Sequence, residues 1–560
     1  MRFAERVAKA ASTRPRKGTS VVFATLRCMS AWRLTSAQVA AHVAAAAFVS
    51  AGLACGSAAP LPADPASTLV VAQNNDPGSL NPAITTSGNV HPVTDQIFNG
   101  LVGLDEQLNP VPELAERWEV SDAGRTYVFI LRPGVRWHDG QPFTSADVKF
   151  TFERVLLEFH SRTRAALRNV LAGIETPDAL TVVFRFKEPY APLLQRLDVV
   201  EASILPKHLF EGTDILTAPA NLEPVGTGPF RFVSYRKGEF VELARNPDYF
   251  RSGLPKIQRL VFRITPSTTT AVMALERREI DYLPSVPGSE LPRLQAMDSL
   301  TNARAAAGSG GSFCQEVLIP NLSRPALSDL RVRRALYLAL DRQVIVDRVY
   351  FGQGTPSTGP ISRKLAWAYS PDVHPYSYNP HEAERLLDAA GLRRRAGEPR
   401  LAITFTHPTT ASRLGQALRD QWKQIGVDLR LEALDFNASV EKTFVRKDFD
   451  LGFASFCNGA DPEIGVRRVY GSDNIAPIPF SNGAGYKSDE ADRLFQMAAT
   501  TLDRPARART YAALQRLLTQ DLPYFWIVDS DGARAYRTGF SGFRLWTGAF
   551  AETVTEARGR

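Results

Sequence analysis

Strand-type and helix-type segments alternate along almost the whole chain, and this alternation constrains the fold more than any other feature. In LTVVFRFK, Leu180, Val182, Phe184 and Phe186 fall on one face and Thr181, Arg185 and Lys187 on the other. That is the period of two of a half-buried strand. RLVFRIT repeats it with Leu260, Phe262 and Ile264. TYVFILR, residues 126–132, reads as apolar throughout, which predicts a strand buried on both faces. The helices between are well punctuated. Thr144-Ser-Ala-Asp147 is a capping box that opens a helix through Leu157. Asn379-Pro-His-Glu382 opens another, with Pro380 in its first turn and Gly391 as its stop. Val332, Ala335, Leu336 and Ala339 form one apolar stripe, and Tyr511, Leu514 and Leu518 another, stopped by Pro523. Such interleaving predicts an α/β protein with mixed sheets. A chain of 560 residues exceeds one core, and at roughly 100–200 residues per domain it predicts about two to four units.

The net charge of +8 looks informative until it is located. Residues 1–54 hold eight basic residues and a single acid, Glu5, so this leader carries seven of the eight net charges. A nucleic-acid binder keeps its basic surface in the folded part, so that class is excluded. The leader continues into VAAHVAAAAFVSAGLAC, Val39 to Cys55. A basic region, an apolar run and small residues before a break are the marks of a secretory signal. From Val39 to Ala54 the run is 16 residues and includes His42, shorter than the roughly 17–25 residues of a membrane span. The Ala-Cys-Gly-Ser step resembles a bacterial lipoprotein cleavage site with Cys55 as lipid acceptor, although Gly52 stands where that pattern prefers Leu. Lipidation at Cys55 and simple secretion both remain open, and Met29 would begin a tidier leader. Residues 56–68 are small and Pro-rich and predict a tether. With Cys28 and Cys55 in the leader, Cys314 and Cys457 are left for the folded part, where an exported protein favours a disulfide over two free thiols.

Catalytic signatures are missing. The chain contains no G-x-S-x-G, H-E-x-x-H, G-x-x-x-x-G-K or G-x-G-x-x-G. Pro229 follows Gly226-Thr-Gly228 where a phosphate loop needs a free N–H, and His138-Asp139-Gly140 reads as a tight turn. The eight histidines are scattered singly, without metal-ligand spacing. The expectation is a protein without catalytic residues, metal or cofactor.

Several segments together resemble one family. They are IFNGLVGLDEQLNPVPELAERWEVSDAGRTYVFILRPGVRWHDGQPFTSADVKFTFERVL (97–156), GTGPFRFVSYRKGEFVELARNPDYF (226–250), LSDLRVRRALYLALDRQVIVDRVYFGQG (327–354), YNPHEAERLLDAAGL (378–392) and QWKQIGVDLRL (421–431). In this order they are similar to the extracytoplasmic solute-binding proteins of the peptide and nickel ABC-importer family, family 5. The likeness runs from about residue 69 to 545. It implies two α/β lobes joined by a hinge, of the type II periplasmic-binding-protein fold with an extra inserted domain. The first lobe is expected to consist of a discontinuous domain (69–95, 223–266 and 523–560) and an inserted one (96–222), and the second lobe of 267–522. Implied partners are a peptide or other small solute, ABC permease and ATPase subunits, and the membrane through a lipid anchor only, with the protein itself a monomer.

The resemblance also nominates ligand contacts. Thr86-Ser87-Gly88 matches a Thr-Ser-Gly segment that touches the ligand in the dipeptide branch. That branch pairs an Asp with the peptide's amino group, since a buried ammonium needs a carboxylate. Here Asn458 or Gly459 occupies the place, and Asp461 stands close by, either as a ligand contact or as a cap on the following helix. Arg413 is the nearest candidate for the peptide carboxylate, or else lies on a solvated helix face. Gln315 is carried as a further contact, and Phe313, Phe456 and Trp422 as cleft wall or core. In the oligopeptide-binding branch a cysteine pair at closely similar places forms a disulfide, which implies Cys314–Cys457 here. The favoured ligand is a di- or oligopeptide. Modified peptides, opines, metal chelates and saccharides remain as alternatives, as does an exported peptide or glycoside hydrolase, for which Asp461 and Glu463 are the only close acidic pair in the expected cleft.

Overall fold

A computed structural model of the chain describes residues 67–105, 107–304, 313–543 and 557–559. Cys55, the leader and most of the expected tether lie outside the described residues. Three sheets organise the fold. The first has seven strands in the order Leu300–Arg304, Ala533–Arg537, Tyr282–Val286, Thr68–Gln73, Arg259–Ile264, Phe240–Arg245 and Phe230–Arg236. Thr68–Gln73 runs parallel to both its neighbours, and the outer pairs are antiparallel. Period two decides how this sheet is covered. Along its central strand Leu69 and Val71 enter one large core, while Ala72 enters a smaller core on the opposite face, with Val272, Leu275 and Leu294.

The second sheet has six strands in the order Gly354–Pro356, Phe525–Ser530, Cys314–Pro320, Leu451–Cys457, Leu401–Pro408 and Val427–Leu434. Helices Leu330–Leu338, Ser412–Gln424 and Arg504–Asp521 supply residues to its core. The last of these is N-capped by Asp503, whose side chain accepts from Ala506 N, and it ends on Leu522, in the left-handed region just before Pro523. A third sheet of four antiparallel strands, Ala115–Ser121, Thr126–Leu131, Thr181–Phe186 and Leu171–Asp178, lies within the inserted segment. Here Val182, Phe184 and Phe186 are buried and Arg185 is exposed, bonded to Glu175. The neighbouring strand corrects an expectation: Tyr127, Phe129 and Leu131 are buried, but Val128 and Ile130 are only half-buried, because the far face of this sheet is not covered.

Two expected boundaries also move. Strands Tyr282–Val286 and Leu300–Arg304 pair within the first-lobe sheet, so 267–304 does not belong with the second lobe. Strand Phe525–Ser530 pairs within the second-lobe sheet, so 523–530 does not belong with the first. Only Asp531 and Gly532 separate that strand from Ala533–Arg537 in the other sheet.

The lobes touch at several points. Gln496 Nε2 donates to Glu188 Oε1 at 2.6 Å, and Arg504 Nη1 donates to Asn109 Oδ1 at 2.9 Å. Among the described residues no helix is long and apolar enough to cross a membrane.

Candidate functional site

The site grows from the end of strand Leu451–Cys457. Cys457 pairs in register with Cys314 on the adjacent strand, and a disulfide joins them. The chain then turns through Asn458–Val466. Asn458 N donates to Phe313 O at 3.5 Å, Gly459 N to Ile464 O at 2.8 Å, and Ile464 N to Asp461 O at 2.7 Å. Asp461 is fully buried and anchors the turn. Its Oδ2 accepts from Arg507 Nη2 at 2.5 Å, and its Oδ1 accepts from Glu463 N at 3.0 Å and from the Tyr511 hydroxyl at 3.1 Å. From the other side Trp367 Nε1 donates to Ala460 O at 3.1 Å, while the Arg507 guanidinium lies 5.2 Å from the Trp367 ring.

This placement corrects Asp461 as a ligand contact, since both its oxygens are engaged by the protein. Nor does it cap the following helix, since Arg467–Tyr470 starts after Val466 without a side-chain cap; Asp461 holds the turn itself by accepting from Glu463 N. Asn458 is buried, and its Oδ1 has no hydrogen-bond partner among the described residues. The Glu463 side chain is nearly buried as well. Its Oε1 lies 3.5 Å from Arg467 Nε, and its Oε2 has no hydrogen-bond partner among the described residues. Burial, opposed by Arg467 and Arg196 and reinforced by Asp461, pushes the Glu463 carboxyl up to about 7.

The opposite wall comes from the inserted domain of the first lobe. Arg196 is 3% exposed and ends the short helix Ala191–Arg196. Its Nη2 donates across the lobe boundary to Glu463 O at 2.7 Å, whereas its Nε and Nη1 have no hydrogen-bond partner among the described residues. Arg162 and Glu201 are both buried and pair at 2.8 Å. Asp198 caps the helix Val199–Ala202 through Glu201 N, and burial with the Glu201 charge lifts its carboxyl to about 8. From the second lobe Arg468 completes the group. Burial and then the Arg162 charge pull it down to about 9, its guanidinium lies 5.8 Å from the Phe456 ring, and its Nε has no hydrogen-bond partner among the described residues. His160 Nδ1 shares a hydrogen bond with Thr163 Oγ1, and burial, Arg162, His91 and Arg196 hold the ring well below its usual range. Charged side chains from both lobes therefore meet around the Asn458–Val466 turn.

The other nominated residues fall in three environments. Thr86 and Ser87 are half-buried and Gly88 exposed, in the turn that opens helix His91–Thr94; Ser87 O accepts from Val90 N at 3.1 Å. Its neighbour His91 is buried, with Nδ1 3.1 Å from Asp95 Oδ1. Phe456 borders the group through Arg468, but Phe313 and Trp422 are wholly buried in the second-lobe core. Trp422 Nε1 donates to Leu336 O at 2.8 Å, which corrects it as a cleft wall. Gln315 is saturated below the surface: its Nε2 lies within hydrogen-bond distance of Ser357 Oγ, Gly359 O and Asp529 Oδ1. Arg413 sits on an exposed face of helix Ser412–Gln424, 4.9 Å from the Phe351 ring, which corrects it as a carboxylate holder in the cleft. Sequence reading missed Arg162, Arg196, Glu201, Arg468 and Arg507. The available signal was charge inside an otherwise apolar run: Arg196, Asp198 and Glu201 interrupt Leu193–Leu205.

Comparison with known proteins agrees with this architecture. Residues 109–476 match the family described as bacterial extracellular solute-binding proteins, family 5 Middle. The chain is 28% identical over 499 residues to the glutathione-binding protein GsiB of Salmonella typhimurium (strain LT2), covering 88% of this chain and 94% of that one. It is 26% identical over 504 residues to the dipeptide-binding protein of Escherichia coli (strain K12), covering 85% and 92%. Among solved structures, NikZ from Campylobacter jejuni in complex with Ni(L-His) superposes with a TM-score of 0.75 at 25% identity, covering 88% of this chain and 98% of that one. Among the described residues no group of three His, Cys, Asp or Glu side chains could hold a metal ion.

Proposed function

Because the chain belongs to the bacterial extracellular solute-binding proteins of family 5, we propose that it is the peptide-capturing component of an ABC importer, closing on a di- or oligopeptide between its lobes and delivering it to a membrane permease. The observation that carries this reading is the charged group at the lobe boundary. Side chains of both lobes leave buried hydrogen-bonding atoms without partners among the described residues there: Arg196 Nε and Nη1, Arg468 Nε, Glu463 Oε2 and Asn458 Oδ1. Buried polar atoms are costly unless paired, and a peptide offers both the donors and the acceptors to pair them. A cleft between domains is also where ligand sites concentrate. The glutathione-binding and dipeptide-binding relatives support a peptide over a saccharide or an opine.

Within this reading the protein is anchored to the membrane by lipid at Cys55, works as a monomer with permease and ATPase subunits, and returns its ligand unchanged. A peptide panel tests the function. A ligand that binds only the closed form stabilises it by RT ln(1 + [L]/Kd), about 2.7 kcal/mol at a hundredfold excess over Kd. Peptides are expected to raise the melting temperature and to be recovered intact. A shift produced only by nickel chelates or saccharides overturns the peptide assignment, and recovered fragments overturn the binding role. Detergent phase partitioning tests the anchor: recovery of the exported protein in the aqueous phase overturns lipidation.

A further inference from the structure

One short hairpin of the first lobe divides its side chains between two cores. Its strands, Val102–Leu104 and Pro110–Pro112, pair antiparallel. At the base, Leu101, Val102 and Leu114 lie in the first-lobe core, and Val102 N donates to Leu197 O at 3.0 Å. At the tip, Leu104 and Leu108 are 5% and 4% exposed and belong to the core of the second lobe. Leu108 stands at a φ of +63°, which side chains rarely adopt. Asn109 completes the tip. Its Nδ2 donates to Asp105 Oδ2 at 3.0 Å, which turns its Oδ1 to Arg504 Nη1 at 2.9 Å. Close by, a Cβ on Gly124 of the inserted domain would lie 2.7 Å from Leu502 Cδ2, so these two segments also meet without a gap. Arg504 reaches the cleft turn at one remove. Its guanidinium lies 4.9 Å from the Trp367 ring, and Trp367 Nε1 donates to Ala460 O at 3.1 Å.

Resting on the peptide-binding role proposed above, we infer that this hairpin tip is the seat on which the second lobe lands as the cleft closes, and that Arg504 and Trp367 are positioning residues that tie the seating to the Asn458–Val466 turn. A first-lobe hairpin whose tip lies in the second-lobe core keeps that place only while the lobes are together. Its contacts therefore favour the closed form alone, and a ligand of the closed form gains by them. Arg504 is the link, since one side chain takes Asn109 across the boundary and lies on the ring that hydrogen-bonds the turn. The tip acts on the arrangement of the lobes, so it strengthens the binding of every peptide by the same factor and does so by slowing release.

The test combines calorimetric titration and stopped-flow release on the whole exported protein with Ala-Ala-Ala, Glu-Ala-Ala and Lys-Ala-Ala, and melting with and without peptide. Asn109→Ala keeps the backbone N–H on Asp105 Oδ1 but removes the acceptor of Arg504. Each peptide that binds the parent is expected to bind it about threefold to tenfold more weakly, by one common factor and with faster release. Leu108→Asn, a residue that tolerates positive φ, is expected to lose about tenfold or more. In both variants the melting temperature falls with peptide and stays at the parent value without it, whereas a merely structural role lowers both. Trp367→Phe keeps a ring for Arg504 and loses the N–H to Ala460; combined with Asn109→Ala it is expected to cost less than the product of the two single factors. Parent affinity in both tip variants, a factor that differs between peptides, an equal fall in melting temperature with and without peptide, or a full product in the double variant overturns the inference. In each of these cases the peptide-binding role stands. Absence of binding of all three peptides by the parent overturns that role and the inference together.

Discussion

Asp461 and Arg507 meet at 2.5 Å with neither side chain exposed, and this pair fastens the cleft turn to the longest helix of the second lobe. Removing one partner of a buried pair strands the other's charge, at a cost of about 3–5 kcal/mol. Arg507→Met is therefore expected to lower unfolding stability by about that much in a denaturant titration. Asp461→Asn, which keeps an oxygen for Tyr511 or Glu463 N, is expected to cost less than Asp461→Ala. Equal stability of Arg507→Met and the parent would show that the pair does not hold the turn.

The disulfide sets the same turn from its other end. Cys314 and Cys457 are 143 residues apart in sequence, so the bond closes a long loop in the unfolded chain. In the chain-entropy account such a crosslink contributes roughly 2–5 kcal/mol. The double variant Cys314→Ser, Cys457→Ser is expected to melt lower and to bind peptide more weakly, because Asn458 follows Cys457 directly. Thiol titration of the denatured, unreduced protein should find neither thiol free, and two reactive thiols at these positions would exclude the bond.

Glu463 gives a pH signature of definite sign. Burial raises its carboxyl from 4.5 to about 7 in the folded state. Between those values the native protein binds more protons than the unfolded chain, so stability falls as pH rises through the window and levels off above it. The full effect is on the order of 3 kcal/mol. Asp198 contributes in the same direction, whereas His138, lowered to about 4, contributes in the opposite one. The difference between parent and Glu463→Gln isolates the residue. Relative to the parent, Glu463→Gln is expected to gain stability steadily from about pH 4.5 to pH 7. A flat difference curve over that range would refute the raised carboxyl.

How far the sequence led depends on the range of the interaction. Period two over 180–187 located strand Thr181–Phe186, and Asn379 caps Pro380–Ala389 by accepting from Glu382 N, because those signals are local. Tyr282–Val286 carries Pro284, and Leu300–Arg304 is largely polar, so neither declares itself a strand; their places follow from pairing with Ala533–Arg537 more than two hundred residues later. The site shows the same limit. The Asp-Pro turn was visible as a turn, but the partner of Asp461 stands 46 residues on, and Arg196 reaches Glu463 across 267. Charge inside an apolar run marks such residues without naming their partners.

The final prediction concerns the step between the lobes. Ser530 pairs with Gly354 in the second-lobe sheet, and Ala533 pairs with Val286 and Arg304 in the first, so any rotation of one sheet against the other must pass through Asp531 and Gly532. Asp531 is held by Lys364 Nζ at 3.1 Å, which leaves Gly532 as the freer joint. Its φ of +47° lies in the left-handed region, where a side chain costs about 1–2 kcal/mol even though no atom lies within 4 Å of a Cβ built there. Gly532→Val is thus expected to unfold at slightly lower denaturant and also to weaken peptide affinity, because a side chain at this φ disfavours the backbone conformation of the joint. Gly212, at φ +80° with equally open surroundings on a first-lobe surface turn, provides the control. Gly212→Val is expected to lose similar stability without loss of affinity. Small-angle scattering separates the two effects: ligand should contract the parent and the Gly212 variant alike, and contract the Gly532 variant less at the same ligand concentration. Identical affinities and identical contraction in all three proteins would remove Gly532 from the hinge.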